Sequence, residues 1–159
     1  MDNKKFRYAE STDVPLILRF IKELAEYENM LDQVTATEEL LKKQIFEDKK
    51  AEVIFALDNG KEVGFALFFH NFSTFLGRAG IYLEDLYVMP EYRGQGHGKG
   101  LLKCLAEIAV ERGCGRLEWS CLDWNKPSID FYLSLGAVRM DDWTVYRVTG
   151  DTLSKLAHN

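Results

Sequence analysis

Apolar side chains between residues 11 and 30 recur every three or four positions, the spacing of one face of an α-helix. The Ser-Thr-Asp stretch at 11–13 precedes this pattern and Pro15 falls in its first turn, and both features favour a helix start. A shorter second helix is predicted from Thr35, because Thr35 and Glu38 have the spacing of a capping box.

The period then changes to that of β-strands. Two β-branched and aromatic runs, AEVIFAL and EVGFALFFHNF, flank the hairpin-type turn DNGK. A third run, AGIYLEDLYV, is followed by glycines, a helix from about Gly98 to Arg112, and another strand, RLEWSCL. A strand, helix, strand order requires a crossover, so these last two strands are predicted to pair in parallel. One more strand, KFRYA, is predicted ahead of the first helix.

These elements predict an α/β (α+β) fold with a mixed central sheet flanked by helices, antiparallel in its first half and parallel around the glycines. We expect one domain over residues 1–159, since no linker or repeat interrupts the chain. NKPSIDFYLSLG is predicted to be a helix, followed by a closing strand, WTVYRV, and a short helix, TLSKLA. Ligands of such sheets favour the carboxyl ends of strands where the topology switches, here the end of YLEDLYV.

Charge and composition narrow the function classes. The net charge is −5, from 25 acidic and 20 basic residues, which argues against nucleic-acid binding and favours a cationic partner. The three cysteines form no C-x-x-C pair, so neither a disulfide framework nor a metal site is expected. No run approaches the roughly 18 apolar residues of a membrane span, so we expect a soluble cytoplasmic protein.

The stretch YRGQGHGKG, residues 92–100, places four glycines just before an apolar helix. A helix N-terminus presents unpaired backbone N–H groups, so this loop is predicted to hold a phosphate. The dinucleotide pattern fails because Lys99 stands in place of its third glycine. The P-loop pattern fails as well, because Gly100 stands where Ser or Thr would bind magnesium.

What remains, Arg93-x-x-Gly96-x-Gly98, resembles the pyrophosphate-binding motif of the GNAT superfamily of acyl-CoA-dependent N-acetyltransferases. The lead-in VMPEY and the later WNKPSIDFYLSLGA are also similar to segments of that family, with Ser128 and Ala137 departing from its usual residues. Together with IKELAEYENMLDQV, these segments resemble most closely the spermidine/spermine (diamine) N-acetyltransferase branch, which includes thialysine-acetylating relatives.

The resemblance implies acetyl-CoA as cofactor, a small amine as substrate and a homodimer. It assigns catalytic roles to Glu84, as a base acting through ordered water, and to Tyr132, as the acid that protonates the departing thiolate. The residues that it implies for cofactor binding are Leu86, Val88, Arg93, Gly94, Gly96, His97, Gly98, Lys99, Asn125 and Tyr132. Those that it implies for substrate binding are Tyr27, Glu28, Phe75, Glu84, Asp85, Asp141 and Trp143.

Elementary chemistry supports part of this assignment. A primary ammonium has a pKa near 10.4, so only about one molecule in 10³ is a free nucleophile at neutral pH and the site needs a route for its proton. Glu84 and Asp85 are adjacent carboxylates predicted to point to opposite faces of their strand. Val88 is the expected N–H donor to negative charge on the carbonyl oxygen, if its strand splays at the loop. Asn125 also fits a simple helix cap.

Other functions stay open at this point. The main hypothesis is acetyl transfer to a diamine or polyamine such as spermidine. The alternative is a lysine-like amino acid such as thialysine, whose α-carboxylate Arg78 or Lys126 would have to bind. A non-catalytic acyl-CoA sensor would keep the glycine loop without the proton-transfer residues, and a phosphate-binding NTPase is disfavoured by the motif.

Overall fold

In the computed structural model, which describes residues 5–159, the chain divides into two units, Met1–Ser120 and Cys121–Asn159. A five-stranded sheet in the order β1-β2-β3-β4-β5 forms the first unit's centre. The strands are β1 (Phe6–Tyr8), β2 (Glu52–Asp58), β3 (Lys61–Ser73), β4 (Arg78–Val88) and β5 (Leu117–Trp119). The first four pair antiparallel and β4 pairs with β5 in parallel, which confirms the predicted mixed sheet.

The β2–β3 hairpin follows from its turn residues. Asn59 and Gly60 both have positive φ, 49° and 81°. A two-residue turn of this kind matches the twist of the flanking strands, and Asn-Gly adopts it at little steric cost. The predicted hairpin is therefore confirmed.

Helix α1 (Val14–Tyr27) covers one face of the sheet, as its periodicity predicts. Its Ile17 and Phe20 are fully buried against Phe55 and Phe65, and the ring of Tyr87 lies 5.7 Å from that of Phe20. This aromatic cluster fixes the helix over β2, β3 and the end of β4.

The second helix begins later than predicted. α2 (Glu38–Leu41) has Thr37 as its N-cap, with the Thr37 hydroxyl accepting a hydrogen bond from the Leu40 N–H, and it continues as a π-helical stretch over Lys42–Glu47. The predicted Thr35–Glu38 capping box is therefore wrong, because the helix has the next threonine as its cap. In a capping box a glutamate or glutamine stands three residues after the cap, and Leu40 occupies that position here.

Helix α3 (His97–Glu111) packs on the opposite face and makes the crossover between β4 and β5. Its buried residues are Leu101, Leu102, Cys104, Leu105, Ile108 and Ala109. Near its start, Gly100 leaves room for Phe6 of β1, since a Cβ there would lie 2.6 Å from Phe6 Cζ. One of the loop's four glycines is thus required by packing.

A β-bulge interrupts β4. Leu67 of β3 pairs with Asp85 and Phe68 pairs with Leu83, which leaves Glu84 as the extra residue. A bulge of this kind bends the strand and breaks its alternation. The prediction that Glu84 and Asp85 point to opposite faces rests on unbroken alternation, which the bulge interrupts.

The second unit contains α4 (Lys126–Ser134) and α5 (Gly150–His158). Asn125 caps α4, with its side chain accepting from the Ser128 N–H, and Gly136 follows the helix with φ 90°, as predicted. The predicted strand WTVYRV is wrong, because residues 143–148 are described and carry no strand. A strand forms only by pairing, and no other strand occurs among the described residues of this unit.

Candidate active site

The last residues of β4 expose backbone donors on one edge. The Met89 N–H donates to the Val63 carbonyl oxygen at 2.8 Å, so the opposed residues Gly64 and Val88 form a non-hydrogen-bonded pair. The Val88 N–H is therefore directed away from β3, and by alternation so is that of Leu86. On that side, the pairing with β5 covers only Ile81–Leu83. Among the described residues, β4 therefore has no β5 partner after Leu83, and the predicted splay of this strand end stays a prediction.

Gly64 allows β3 to approach that strand end closely. A Cβ at this position would lie 2.5 Å from the Tyr87 carbonyl oxygen and 3.1 Å from Val88 Cα. Sequence reasoning missed this residue, although a glycine inside an otherwise apolar strand is a known signal of close backbone approach.

The glycine loop leads from β4 into α3. A short 3₁₀ turn, Pro90–Tyr92, precedes Arg93, and Gly94 and Gly96 follow with φ of 76° and 88°. Gly96 is the N-cap of α3 and offers no side chain to cap it. The first N–H groups of the helix, which include those of half-buried His97, of Gly98 and of exposed Lys99, are the ones that lack an intrahelical acceptor.

Gly98 is the glycine that the fold itself does not require. Its φ is not positive, and a Cβ would meet only Val88 Cγ2, at an ordinary 3.9 Å. A glycine inside a helix costs about 0.5–1 kcal/mol relative to alanine. The open space beside Gly98 therefore suits a ligand that comes close to the backbone.

Arg93 is anchored at the base of the loop. Its Nε donates to the Val88 carbonyl oxygen at 2.8 Å, and its Cζ lies 5.2 Å and 5.7 Å from the ring centroids of Tyr27 and Tyr87. The side chain is exposed. Arg93 thus lies in the loop and contacts both the end of β4, at Val88 and Tyr87, and the end of α1, at Tyr27.

A partly buried hydrogen bond holds one of those tyrosines. The Tyr87 hydroxyl donates to Glu23 Oε1 at 2.7 Å, and Arg19 Nε donates to Glu23 Oε2 at the same distance. Burial raises the pKa of Tyr87, and the bond to Glu23 raises it further. For Glu23, burial opposes ionisation, but the bonds from Tyr87 and Arg19 outweigh it and lower the pKa of the carboxyl. Sequence reasoning missed this pair, whose members are 64 positions apart.

Three carboxylates lie together beside the bulge. Burial, and then the charges of Glu84 and Glu28, raise the pKa of Asp85 to about 6. Burial also raises the pKa of Glu28. Mutually repelling carboxylates in a partly buried site are stabilised by a cation. Because the charges of Glu28 and Glu84 both act on Asp85, the three carboxylates lie close together. Tyr27 adjoins Glu28 in sequence.

The remaining predicted residues are Phe75 of the first unit and four residues of the second unit. Phe75 sits 94% exposed in the β3–β4 turn, at the start of β4 and roughly 30 Å of strand away from Val88. It is not brought to the carboxylates. The other predicted residues belong to the second unit: Asn125 is buried, Tyr132 is half-buried with its ring against Phe131, Asp141 pairs with Arg139, and Trp143 is 76% exposed.

The site of the first unit thus combines two kinds of binding group. Uncapped helix N–H groups and a glycine without a packing role suit the phosphates of a coenzyme, and the carboxylates suit an ammonium. The Val88 N–H, which faces away from β3, lies on the strand between them. An α/β domain with this arrangement fits the class of acyltransferases that bring an activated acyl group to an amine.

Comparison with known proteins supports that class. A model of the Acetyltransferase (GNAT) family matches residues 18–137, and the chain belongs to this family of N-acetyltransferases. The chain is 41% identical to the thialysine N-epsilon-acetyltransferase of Bos taurus, over 95% of each chain. It is 34% identical to the Homo sapiens spermidine/spermine N(1)-acetyltransferase-like protein 1, over 99% of this chain and 24% of that protein. Among solved structures, an integron cassette protein from the V. cholerae mobile metagenome has a TM-score of 0.80 at 30% identity and 98% coverage of both chains.

The role of Gly98 can be separated from that of Gly100. We expect Gly98→Ala to leave the free energy of unfolding unchanged or to raise it by up to about 1 kcal/mol, because the helix gains a better former. Binding of coenzyme A should weaken about tenfold or more, which is about 1.4 kcal/mol. Denaturant unfolding and titration calorimetry with coenzyme A measure the two effects. Gly100→Ala is the control and should lower stability through its contact with Phe6. Unchanged affinity in Gly98→Ala would show that the ligand does not approach here.

The raised pKa of Asp85 predicts a pH-dependent effect on stability. In the folded protein Asp85 keeps its proton up to about pH 6, whereas in the unfolded chain it ionises near pH 4. Its ionisation therefore lowers the free energy of unfolding as pH rises from about 4 to 6, and the loss persists above pH 6. Asp85→Asn should be about 1–3 kcal/mol more stable than the wild type at pH 7.5, with the difference fading towards pH 4.

Urea unfolding at several pH values between 4 and 7.5 measures this difference, with Asp142→Asn, at an exposed position of the second unit, as control. A gain of equal size at pH 4 and pH 7.5 would contradict the electrostatic origin.

Proposed function

We propose that this N-acetyltransferase transfers the acetyl group of acetyl-CoA to the side-chain amine of a lysine-like amino acid such as thialysine. The observation that carries the proposal is the end of β4, where the Val88 N–H, the glycine loop and three carboxylates meet. The 41% identity to the Bos taurus thialysine enzyme, over nearly the full length of both chains, supports this choice of substrate.

The glycine loop would hold the pyrophosphate of coenzyme A. The N–H groups of His97, Gly98 and Lys99 point from the start of α3, and Gly94 and Gly96 keep the backbone open. The pantetheine chain would run along the edge of β4 that β5 leaves unpaired, past Leu86 and Val88. When bound, acetyl-CoA supplies the acetyl group as a reactive thioester.

Val88 and the carboxylates would act on the reacting groups. The Val88 N–H, aimed away from β3, donates to an oxygen that acquires negative charge, the arrangement that most stabilises acyl transfer. Glu84 is exposed on the bulge and can take the proton of the incoming ammonium through water. Asp85 and Glu28 would hold a second ammonium, whose charge favours the ionised form of Asp85.

Two residues of the second unit complete the proposal. Tyr132 would protonate the departing thiolate, and Asn125, buried at the start of α4, would bind the cofactor in addition to capping the helix. Asp141 and Trp143 remain proposed substrate contacts.

A polyamine such as spermidine is the second candidate, and the three carboxylates favour it. Both substrate classes carry a second ammonium several bonds from the reacting amine, so the carboxylates account for what they share. The amino acid differs by its α-carboxylate. Arg78 lies at the first residue of β4, roughly 20 Å of strand from Glu84, and Lys126 pairs with Asp130 at 2.8 Å. Arg78 is therefore not placed at the carboxylates, and the Lys126 ammonium already has a carboxylate partner in its own helix.

The cellular setting and the assembly are inferred from the resemblance to the family. Within residues 5–159, no helix is both long and apolar enough to cross a bilayer. We infer a cytoplasmic homodimer formed by a single domain over residues 1–159, with exposed apolar side chains such as Val138 and Val145 available for an interface.

An amine panel tests the proposed substrate. With saturating acetyl-CoA, we expect the highest kcat/KM for thialysine, lower values for lysine and ornithine, and the lowest for spermidine and putrescine. Release of free coenzyme A measures each rate, and omission of the amine gives the background. Preference for spermidine would establish the polyamine alternative, and absence of turnover with every amine would refute both.

A substitution at Tyr132 separates an enzyme from a coenzyme sensor. Tyr132→Phe should lower kcat by about 10²–10⁴ with little change in coenzyme A affinity, because only the proton donor is removed. Tyr146→Phe, at a position 92% exposed, is the matched control and should have no effect. A kcat within threefold of the wild type would remove Tyr132 from the mechanism.

A further inference from the structure

Arg93 has two features that a simple phosphate ligand does not need. Its Nε is occupied by the Val88 carbonyl oxygen at 2.8 Å, so that nitrogen is unavailable to an incoming anion. Its guanidinium also lies over the rings of Tyr27 and Tyr87, at 5.2 Å and 5.7 Å. Cation–π contacts of this length hold the guanidinium in place.

The hydrogen bond from Arg93 completes the anchoring of one peptide group. In the Val88–Met89 peptide, the Met89 N–H donates to the Val63 carbonyl oxygen and the Val88 carbonyl oxygen accepts from Arg93. Both polar groups of this peptide are thus held, while the N–H at the other end of Val88 is directed to the open edge of β4. The orientation of that free N–H depends on the peptide that follows it.

A second line of contacts supports the same point from α1. Tyr87 immediately precedes Val88, its hydroxyl is bound to Glu23, and Glu23 is bound to Arg19. Tyr27, which contacts Arg93 from the last turn of α1, is followed by Glu28 of the carboxylate group. Arg93 therefore connects the donor at Val88 with the end of α1 that bears part of the proposed amine site.

We propose that Arg93 is a positioning residue for acetyl transfer: its Nε and the two tyrosine rings fix the backbone of Val88 so that the Val88 N–H meets the reacting oxygen. This inference rests on the proposed function, because it concerns the same transfer step. The positive charge of Arg93 would by itself attract phosphate. The proposal adds a second role for this side chain, which is to fix the backbone of Val88.

Arg93→Lys separates the two tasks. Lysine keeps the charge but lacks Nε in a planar fork and stacks poorly on aromatic rings. If Arg93 positions Val88, kcat with the best amine of the panel should fall about 10- to 100-fold, as expected for a displaced donor, while the dissociation constant for coenzyme A changes less than about threefold. Arg116→Lys, at an exposed position before β5, is the matched control and should leave both values unchanged.

Amide hydrogen exchange provides a readout that needs neither substrate nor turnover. The Met89 amide should exchange about tenfold faster in Arg93→Lys than in the wild type or in Arg116→Lys, with thermal unfolding of all three proteins compared to confirm folding. Weakened coenzyme A binding with unchanged kcat and unchanged Met89 exchange would overturn the inference and make Arg93 a charge ligand only. Failure of the wild type to acetylate any amine would refute the proposed function instead, and the Met89 exchange would still decide whether Arg93 holds the strand.

Discussion

The second half of β4 is paired through its backbone along one edge only. β3 binds it up to Val88, whereas β5 leaves it after Leu83 within the described residues. The parallel crossover through α3 makes this possible, because β5 returns to the sheet at the far end of β4. An unpaired edge next to a core is normally unfavourable, since buried backbone donors need acceptors. Here it is the feature on which the site depends: a row of backbone donors beside a glycine loop and next to carboxylates.

Local patterns in the sequence were sufficient for the elements and for the loop. Asn59–Gly60 determines its own turn, α1 follows from periodicity and Pro15, and the glycines before α3 predict an anion site without any tertiary information. The features that failed depend on distant partners. The bulge at Glu84 is set by the register with β3. The local sequence does not distinguish Thr35 from Thr37 as the cap of α2. The run 143–148 has strand composition, but composition does not supply a partner strand.

The same distinction applies to the candidate site. Arg93, Gly96 and Gly98 can be proposed from the sequence because their motif is contiguous, and Glu84 and Asp85 because they lie on the strand that leads into it. Glu23 and Tyr87 were not predicted, because nothing in the local sequence around a helical glutamate or a strand tyrosine indicates that the two side chains form a hydrogen bond in the folded chain. Phe75 was assigned by alignment with a family across a turn, where a shift in register moves a side chain to another part of the surface, and the structure leaves it on that turn.

Several features of this site oppose folding, and each is of a kind that a particular ligand relieves. The ionised form of Asp85 is disfavoured beside Glu28 and Glu84, and an ammonium would offset that repulsion. The start of α3 has no capping side chain, and Gly98 weakens its first turn, but a phosphate supplies both acceptors and negative charge. The carboxylates favour a positively charged ligand and the start of α3 favours a negatively charged one. These two groups lie on either side of the Val88 N–H. A site that selects an anion at one end and a cation at the other orients two different molecules towards the strand between them, which is what transfer from a coenzyme to an amine requires.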